Sequence, residues 1–348
     1  MVVREILPEE KKDFNRVVNH PLQSWQWGQF REKTGRKIIR LGVFDPNKRH
    51  QLVSAYTLSV HPLPIIGGTS IYFPRGPMPD QTMIEALKKI AKRRKAVFVK
   101  LEPNVHQPYQ AQQTSHFGQV KKFLKENNCQ AGRPQFTKYN FILDISQSEE
   151  AILKQMKSKT RYNIRLSQRH EVEVVEDNSI QALKIFWKLM EETTKRQRFY
   201  ARTFDYYQKM REVLLPDKTF HLLLAKYQNT ILGAYIFFTF NDTLYYPYGA
   251  SSREHRDKMA LYKLMWEAIK LGKAQKTTKF DMWGSPGPNP SPKDPWYGFH
   301  RFKEGFGATL EEYLGTFDLV IDQPKYKIFT LANSWRWKYL RLRKLLPF

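Results

Sequence analysis

Apolar and polar positions fall along this chain in an order of blocks that occurs twice. Residues 38–44 form an apolar strand pattern that meets a turn at Asp45-Pro46-Asn47, and strands follow over 52–58 and 69–73. After the break Arg75-Gly76-Pro77, the spacing predicts a helix over 83–94 and a strand over 96–101. The second copy begins with a strand over 220–225, a turn at Gln228-Asn229, strands over 231–240 and 243–248, and a break at Gly249-Ala250. A helix then carries Leu261, Leu264, Met265, Ala268 and Ile269 on one face, before a strand over 279–282. Even the local text echoes, Ala55-Tyr56 against Ala234-Tyr235.

An antiparallel meander followed by a helix and a further strand is the core of the acyltransferase fold that many acetyl-CoA enzymes use. Two copies predict an α/β (α+β) protein of two tandem acyltransferase-like, GNAT-type domains, with mixed sheets flanked by helices and a cleft between them. Ligand sites favour such clefts, and each break is expected at the end of its copy's third strand. A helix near 116–125, a strand near 139–143 and a basic segment join the copies. In the last third, Tyr245-Tyr246-Pro247-Tyr248-Gly249-Ala250, Asp281-Met282-Trp283-Gly284 and the stretch from Gly298 through Gly307 mix aromatics, glycines and a few charges. They are expected to rim the cleft.

Composition narrows the partners. A chain of 348 residues, 41% hydrophobic, can bury one large core or two ordinary ones, and two domains fit the usual size range. The formal charge of +25 favours a polyanion: nucleic acid, nucleotide-sugar phosphates or an anionic membrane face. Lys154, Lys157, Lys159, Arg161, Arg165 and Arg169 occur with no acid between them, which suits backbone phosphates and equally describes a solvated helix face. The closing cluster Trp335, Arg336, Trp337, Lys338, Tyr339, Arg341, Arg343 and Lys344 suits an anionic membrane face, stacking on nucleic acid, or a terminal helix packed on the first domain. Cys129 is the only cysteine, so no disulfide forms within the chain and a reducing compartment fits. The first residues lack the apolar core of a signal peptide, and no apolar run approaches the roughly 18 residues of a spanning helix. A cytoplasmic protein is expected.

Several chemistries are disfavoured. The nine histidines occur singly, without the spacing of a zinc site, and neither a Gly-x-Ser-x-Gly elbow nor a phosphate loop occurs. The turn entering the second copy's helix reads Ser251-Ser252-Arg253-Glu254-His255-Arg256-Asp257-Lys258-Met259, with no glycine to let backbone N–H groups cradle a pyrophosphate. Coenzyme A is therefore disfavoured as the acyl donor. The phosphate-seeking cations suggest an acylated RNA instead.

The chain resembles the FemABX aminoacyltransferases, which transfer an amino acid from aminoacyl-tRNA to the stem peptide of a peptidoglycan precursor to build its interpeptide bridge. The resemblance is carried by Leu22-Gln23-Ser24-Trp25-Gln26-Trp27, Lys157-Ser158-Lys159-Thr160-Arg161-Tyr162-Asn163-Ile164-Arg165, the 245–250 and 281–284 blocks, Phe302-Lys303-Glu304-Gly305-Phe306-Gly307 and Leu314-Gly315-Thr316-Phe317-Asp318. It implies a first domain of 1–148 plus 320–348, to which the chain end returns, and a second of 149–319. Residues 182–215 leave room for two ordinary helices, so the compact type without a helical arm is expected.

The same resemblance places the precursor's diphosphate near Arg202, with Tyr206 lining that pocket and Tyr248 flanking the stem peptide. Arg31 would assist, with Lys37 as the alternative. Phe302 and Lys303 match a Phe-Lys pair beside the acceptor and the 3′ end of the tRNA, and Glu102 falls where an acid can stand near the attacking amine. Lys157, Lys159, Arg161 and Arg165 would hold tRNA. An aminoacyl ester is already activated, so positioning and a cation such as Lys303 at the developing oxyanion are the modest equipment required. The expected partners are aminoacyl-tRNA as co-substrate and either UDP-MurNAc-pentapeptide or lipid II, with peripheral contact at the inner membrane face, no metal or other cofactor, and a monomeric enzyme. A non-catalytic RNA-binding protein on a degenerate acyltransferase scaffold, or an N-acyltransferase with another donor, stays open at this point.

Overall fold

The computed structural model describes all residues except Arg49, 111–114, 198–200 and 346–348, and side chains are not described for 115–116 and 337–345. The chain opens with β1 (Val2–Glu5), α1 (Lys11–Val17) and α2 (Trp25–Lys33). The first copy follows as β2 (Lys37–Asp45), β3 (Gln51–Pro62), β4 (Thr69–Pro74), α3 (Gln81–Arg93) and β5 (Ala96–Glu102). Its strands β2, β3 and β4 pair antiparallel, and α3 crosses over so that β5 lies parallel to β4. Helix α3 starts two residues earlier than the spacing predicts, because the Asp80 carboxylate accepts from the Met83 amide at 2.7 Å. Its stripe of Met83, Ile84, Leu87, Ile90 and Ala91 is buried against the first sheet.

The connection contains β6 (His106–Pro108), α4 (Ser115–Glu126), β7 (Cys129–Ala131), β8 (Tyr139–Asp144), α5 (Glu149–Gln155), α6 (Ser158–Arg169) and β9 (Glu173–Glu176). Two helices come next, α7 (Ile180–Gln197) and α8 (Phe204–Leu214). The second copy is β10 (Phe220–Tyr227), β11 (Thr230–Phe240), β12 (Thr243–Ser251), α9 (Ala260–Ala274) and β13 (Lys279–Ser285), with β12 and β13 again parallel. The chain ends in α10 (Tyr297–Glu304), β14 (Thr309–Tyr313), β15 (Phe317–Val320) and α11 (Gln323–Leu345). One sheet runs β1-β2-β3-β4-β5-β15-β7 and the other β6-β14-β8-β13-β12-β11-β10-β9. The duplicated acyltransferase-like arrangement of two mixed sheets flanked by helices is thus present.

Two expectations are corrected, and the sheets themselves cross the 148 and 319 boundaries: β8 pairs with β13 and β14, while β15 crosses back to pair with β5. Phe141, Leu143 and Ile145 are the reason, since all three bury in the second core. The Gly249-Ala250 break lies inside β12, paired with Tyr235 and Ala234, because Gly249 makes room for the Tyr246 hydroxyl where any Cβ would overlap it. Finally, Tyr245, Tyr246, Met282 and Phe306 are core residues rather than cleft rim.

A shared core joins the halves. Phe14, Trp25 and Phe30 from the N-terminal helices pack with Phe186 of α7, Tyr207 and Met210 of α8 and Phe238 of β11. At the far end, the Lys100 ammonium meets Asp318 at 2.7 Å, and the Tyr326 hydroxyl donates to the same carboxylate at 2.9 Å. That buried cluster ties α11 to β5 and β15.

Candidate active site

Lys303 lies on α10 with no exposed surface. Its Nζ donates to the Gly284 carbonyl at 2.8 Å and sits 3.9 Å from the centroid of the Phe299 ring and 5.9 Å from that of Tyr246. Removal from water holds the amine well below the usual lysine range, with the Asp281 carboxylate opposing that shift. Asp281 is itself buried, and desolvation raises its carboxyl despite the Trp283 amide at 2.7 Å and the Asn140 amide at 3.0 and 3.1 Å. Lys303 is therefore held toward the neutral amine, a form that accepts a proton. Phe302 points elsewhere: its ring packs on Tyr262 at 5.0 Å and Phe306 at 5.2 Å in the second core. The ring on the amine is Phe299, one helical turn earlier.

Glu102 is buried at the end of β5. Its Oε1 accepts from the Gln135 amide at 2.7 Å, the Phe136 amide at 3.2 Å and the Thr316 hydroxyl at 2.7 Å, and its Oε2 accepts from the Tyr72 hydroxyl. Four donors on one carboxylate describe a clamp on the 132–138 connection. Three of the four donors fall on Oε1, and Oε2 is held by the Tyr72 hydroxyl alone.

Arg202, Tyr206 and Tyr248 come together where α8 meets β12, against Phe30 of α2. Tyr206 stands edge-on to Phe30 at 4.9 Å, its hydroxyl lies 3.4 Å from that of Tyr248, and the Arg202 guanidinium is 5.1 Å from its ring centroid. Arg31 follows Phe30 on α2 with its guanidinium 5.9 Å from that ring, and its charge acts on His61 and Tyr72 of the first sheet. The Thr203 hydroxyl caps α8 and fixes Tyr206 in the first turn. Lys37 stands at the exposed start of β2, opposite Val60. A cation on an aromatic floor, Arg202 on Tyr206, suits a phosphate group.

The basic segment docks beside Lys303. The Lys157 amide donates to the Gly305 carbonyl at 2.9 Å, and its ammonium pairs with Glu304 at 2.6 Å. Gly307, at φ 80°, lies where a Cβ would crowd the Gln155 carbonyl, so glycine is required for this approach. Arg161 turns back to the carbonyls of Lys154 and Met156. Two of the four expected RNA contacts are therefore engaged within the protein, while Lys159 and Arg165 are exposed. Arg165 shares a surface depression with Tyr162, Gln168 and Arg169.

A model of the FemAB family matches residues 9–228 and 218–334. The chain belongs to the FemAB family. It is 24% identical to the lipid II:glycine glycyltransferase of Staphylococcus saprophyticus over 389 aligned positions, covering 90% of this chain and 92% of the relative. The corresponding enzyme of Staphylococcus haemolyticus is 25% identical, with 90% and 91% covered. Both alignments are longer than this FemAB chain, so those relatives carry insertions that it lacks. Among solved structures, FemX superposes with a TM-score of 0.82 at 20% identity, covering 94% of this chain and 99% of that one. L-PGS from Bacillus licheniformis follows at 0.54 and 12%, with 92% and 93% covered. These likenesses establish a shared fold.

Sequence reasoning missed Phe299 and Arg75 in this FemAB chain. The i, i+4 spacing of Phe299 and Lys303 on a helix was the available signal for the first. Nothing in the local sequence announces the burial of the second. Among the described residues, no three metal-ligating side chains converge, and no helix is long and apolar enough to cross a membrane.

Proposed function

We propose that this chain transfers an amino acid from aminoacyl-tRNA to the free amine of a peptidoglycan precursor's stem peptide. Membership of the FemAB family, and glycyltransferase relatives aligned over nine-tenths of both chains, support aminoacyl transfer to such a precursor. The observation that carries the finer reading is the buried Lys303 amine next to the turn on which a basic helix docks. The acceptor amine attacks the ester carbonyl, the C–O bond to the ribose breaks, and an amide forms. Lys303, entering as the neutral amine, takes the proton that the attacking nitrogen loses and returns it to the departing ribose oxygen. Phe299 covers that amine and must swing aside for the reactants to reach it.

A lipid-linked acceptor is part of the proposal. Helix α11 exposes Ile328, Leu331 and Trp335 beside Lys325, Lys327 and Arg336, an apolar and cationic face suited to an anionic bilayer surface. The deciding experiment supplies the protein with mixed aminoacyl-tRNAs and either the nucleotide-linked or the lipid-linked precursor, and reads product masses. The lipid-linked precursor should gain the mass of one or more aminoacyl residues. No product from any aminoacyl-tRNA with either precursor overturns the reading.

A further inference from the structure

Arg75 follows β4 with a left-handed backbone, φ 50°, which side chains other than glycine seldom adopt and which costs on the order of 1 kcal/mol. Two backbone bonds hold the bend: the Arg75 amide donates to the Glu102 carbonyl at 2.6 Å, and the Asn104 amide to the Gly76 carbonyl at 2.7 Å. The side chain is buried, 5% exposed, with its guanidinium 3.8 Å from the Tyr313 ring centroid and 5.1 Å from that of Phe136. Among the described residues no carboxylate pairs with this guanidinium and no carbonyl accepts from it, and its Nε is buried without a partner. Leaving a charged group this way is expensive, and two ring contacts recover only part of the loss.

The guanidinium lines a cavity of about 200 Å³, walled by Gly132, Pro134, Thr137, Gly315 and Thr316 among others. The other charges on the wall are committed. Glu102 accepts from four donors within the protein, and Lys138 pairs with Glu312 at 2.5 Å. The cavity thus offers a positive charge with planar donors that no carboxylate meets at hydrogen-bond distance among the described residues, while its field reaches Asp281 and lowers that carboxyl. Two rings, Phe136 and Tyr313, and the small residues Gly132, Thr137, Gly315 and Thr316 make a narrow cavity suited to a slim extended group, and the Glu102 carboxylate disfavours a doubly charged phosphate.

The position relates the cavity to the reacting centre. Thr137 packs so closely on Gly284 that any Cβ there would overlap its hydroxyl, and the Gly284 carbonyl is the acceptor for Lys303. One glycine separates the two.

We propose that the Arg75 cavity is a carboxylate subsite that takes the free C-terminal carboxylate of the acceptor's stem peptide, guanidinium and carboxylate meeting in the bidentate geometry they share. The peptide's end is thereby anchored while its amine faces the Lys303 centre. This assignment rests on the proposed acceptor, but its test does not need turnover.

The test titrates the full chain calorimetrically with N-acetyl-Lys-D-Ala-D-Ala and with the same tripeptide as its C-terminal amide. Wild type should bind the acid about tenfold or more tightly than the amide, and Arg75→Gln should abolish the preference. Arg75→Lys, which keeps charge without the planar fork, should retain part of it and serves if the Gln variant does not fold. A third titration uses the trinucleotide CCA. Equal binding of acid and amide by wild type, a preference that survives in Arg75→Gln, or a loss confined to the trinucleotide each overturns the subsite. If no aminoacyl-tRNA serves as donor yet the acid is still preferred, the transfer reading fails and the subsite stands.

Discussion

The Lys303 Nζ lies 3.9 Å from the centroid of the Phe299 ring, one turn earlier on the same helix, and Lys303 has no exposed surface. A buried ammonium is costly, so the folded protein lowers this group's proton affinity. The sign for stability follows. Between the depressed folded value and the ordinary lysine value the unfolded chain binds more protons, so stability rises with pH across that window, and the cost is full below it. Lys303→Met removes the cost while conserving volume. It should match or exceed wild-type stability at pH 7, by about 1 kcal/mol or more, with the gap narrowing as pH approaches the ordinary lysine value. Urea unfolding at two pH values measures this. Aminoacyl transfer by the same variant should fall by about 100-fold or more.

Opening the cover has the opposite electrostatic consequence. Phe299→Ala admits water to the amine, which raises its proton affinity toward the ordinary lysine value. If neutral Lys303 takes the proton, the rising limb of kcat/KM against pH should move to higher pH in this variant. An unmoved limb with reduced activity would assign Phe299 to substrate contact alone.

Glu102 separates two roles that the sequence could not. A residue that only clamps the 132–138 connection tolerates Glu102→Gln, since the amide oxygen can keep the Gln135, Phe136 and Thr316 donors and its NH₂ can face Tyr72. That variant should retain most transfer activity. Glu102→Ala orphans four donors and should cost about 3 kcal/mol or more in thermal or urea unfolding. A Glu102→Gln variant that folds as well as wild type but loses kcat would restore the carboxylate as the proton acceptor.

Much of the fold was legible because burial writes itself into period. The alternation in 38–58 and 220–248 and the stripe Leu261-Leu264-Met265-Ala268-Ile269 are imposed by local geometry, and these elements form as the spacing predicts. Sheet membership of β8 and β15 was not legible, since an apolar strand carries no label for which of two sheets it joins. The glycine of Tyr248-Gly249-Ala250 was misread for a related reason. Gly249 serves a close approach by Tyr246, and a single sequence does not distinguish that from a turn. The Arg202–Tyr206–Tyr248 cluster was reached through family resemblance. Its assembly depends on α8 meeting β12, a long-range contact that no spacing encodes.

That cluster makes its own prediction. Arg202 is exposed and rests on the Tyr206 ring, so its removal should cost ligand affinity rather than stability. Arg202→Ala should raise KM for a diphosphate-bearing precursor by about tenfold, with a smaller change in kcat and none in the unfolding midpoint. A fragment lacking the diphosphate should be insensitive to the substitution. Equal sensitivity of both acceptors would move the diphosphate elsewhere.

The basic helix divides into cations held by the protein and cations free for a ligand, and salt dependence tells them apart. Lys157 is committed to Glu304 and Arg161 to backbone carbonyls, whereas Lys159 and Arg165 face solvent, and Arg169 lies 5.9 Å from the Tyr162 ring. Each cation that neutralises a single-stranded phosphate contributes roughly 0.7 to the slope of log affinity against log salt, and about 0.9 on a duplex. Replacing Lys159, Arg165 and Arg169 together by alanine should therefore weaken tRNA binding and reduce the slope by about 2 to 3. Lys157→Ala should leave the slope nearly unchanged. Its effect should appear in turnover, because it loosens the Glu304-Gly305 turn that follows Lys303. A flat response to the triple substitution would make this helix a solvated face and require the tRNA to approach Lys303 from another side.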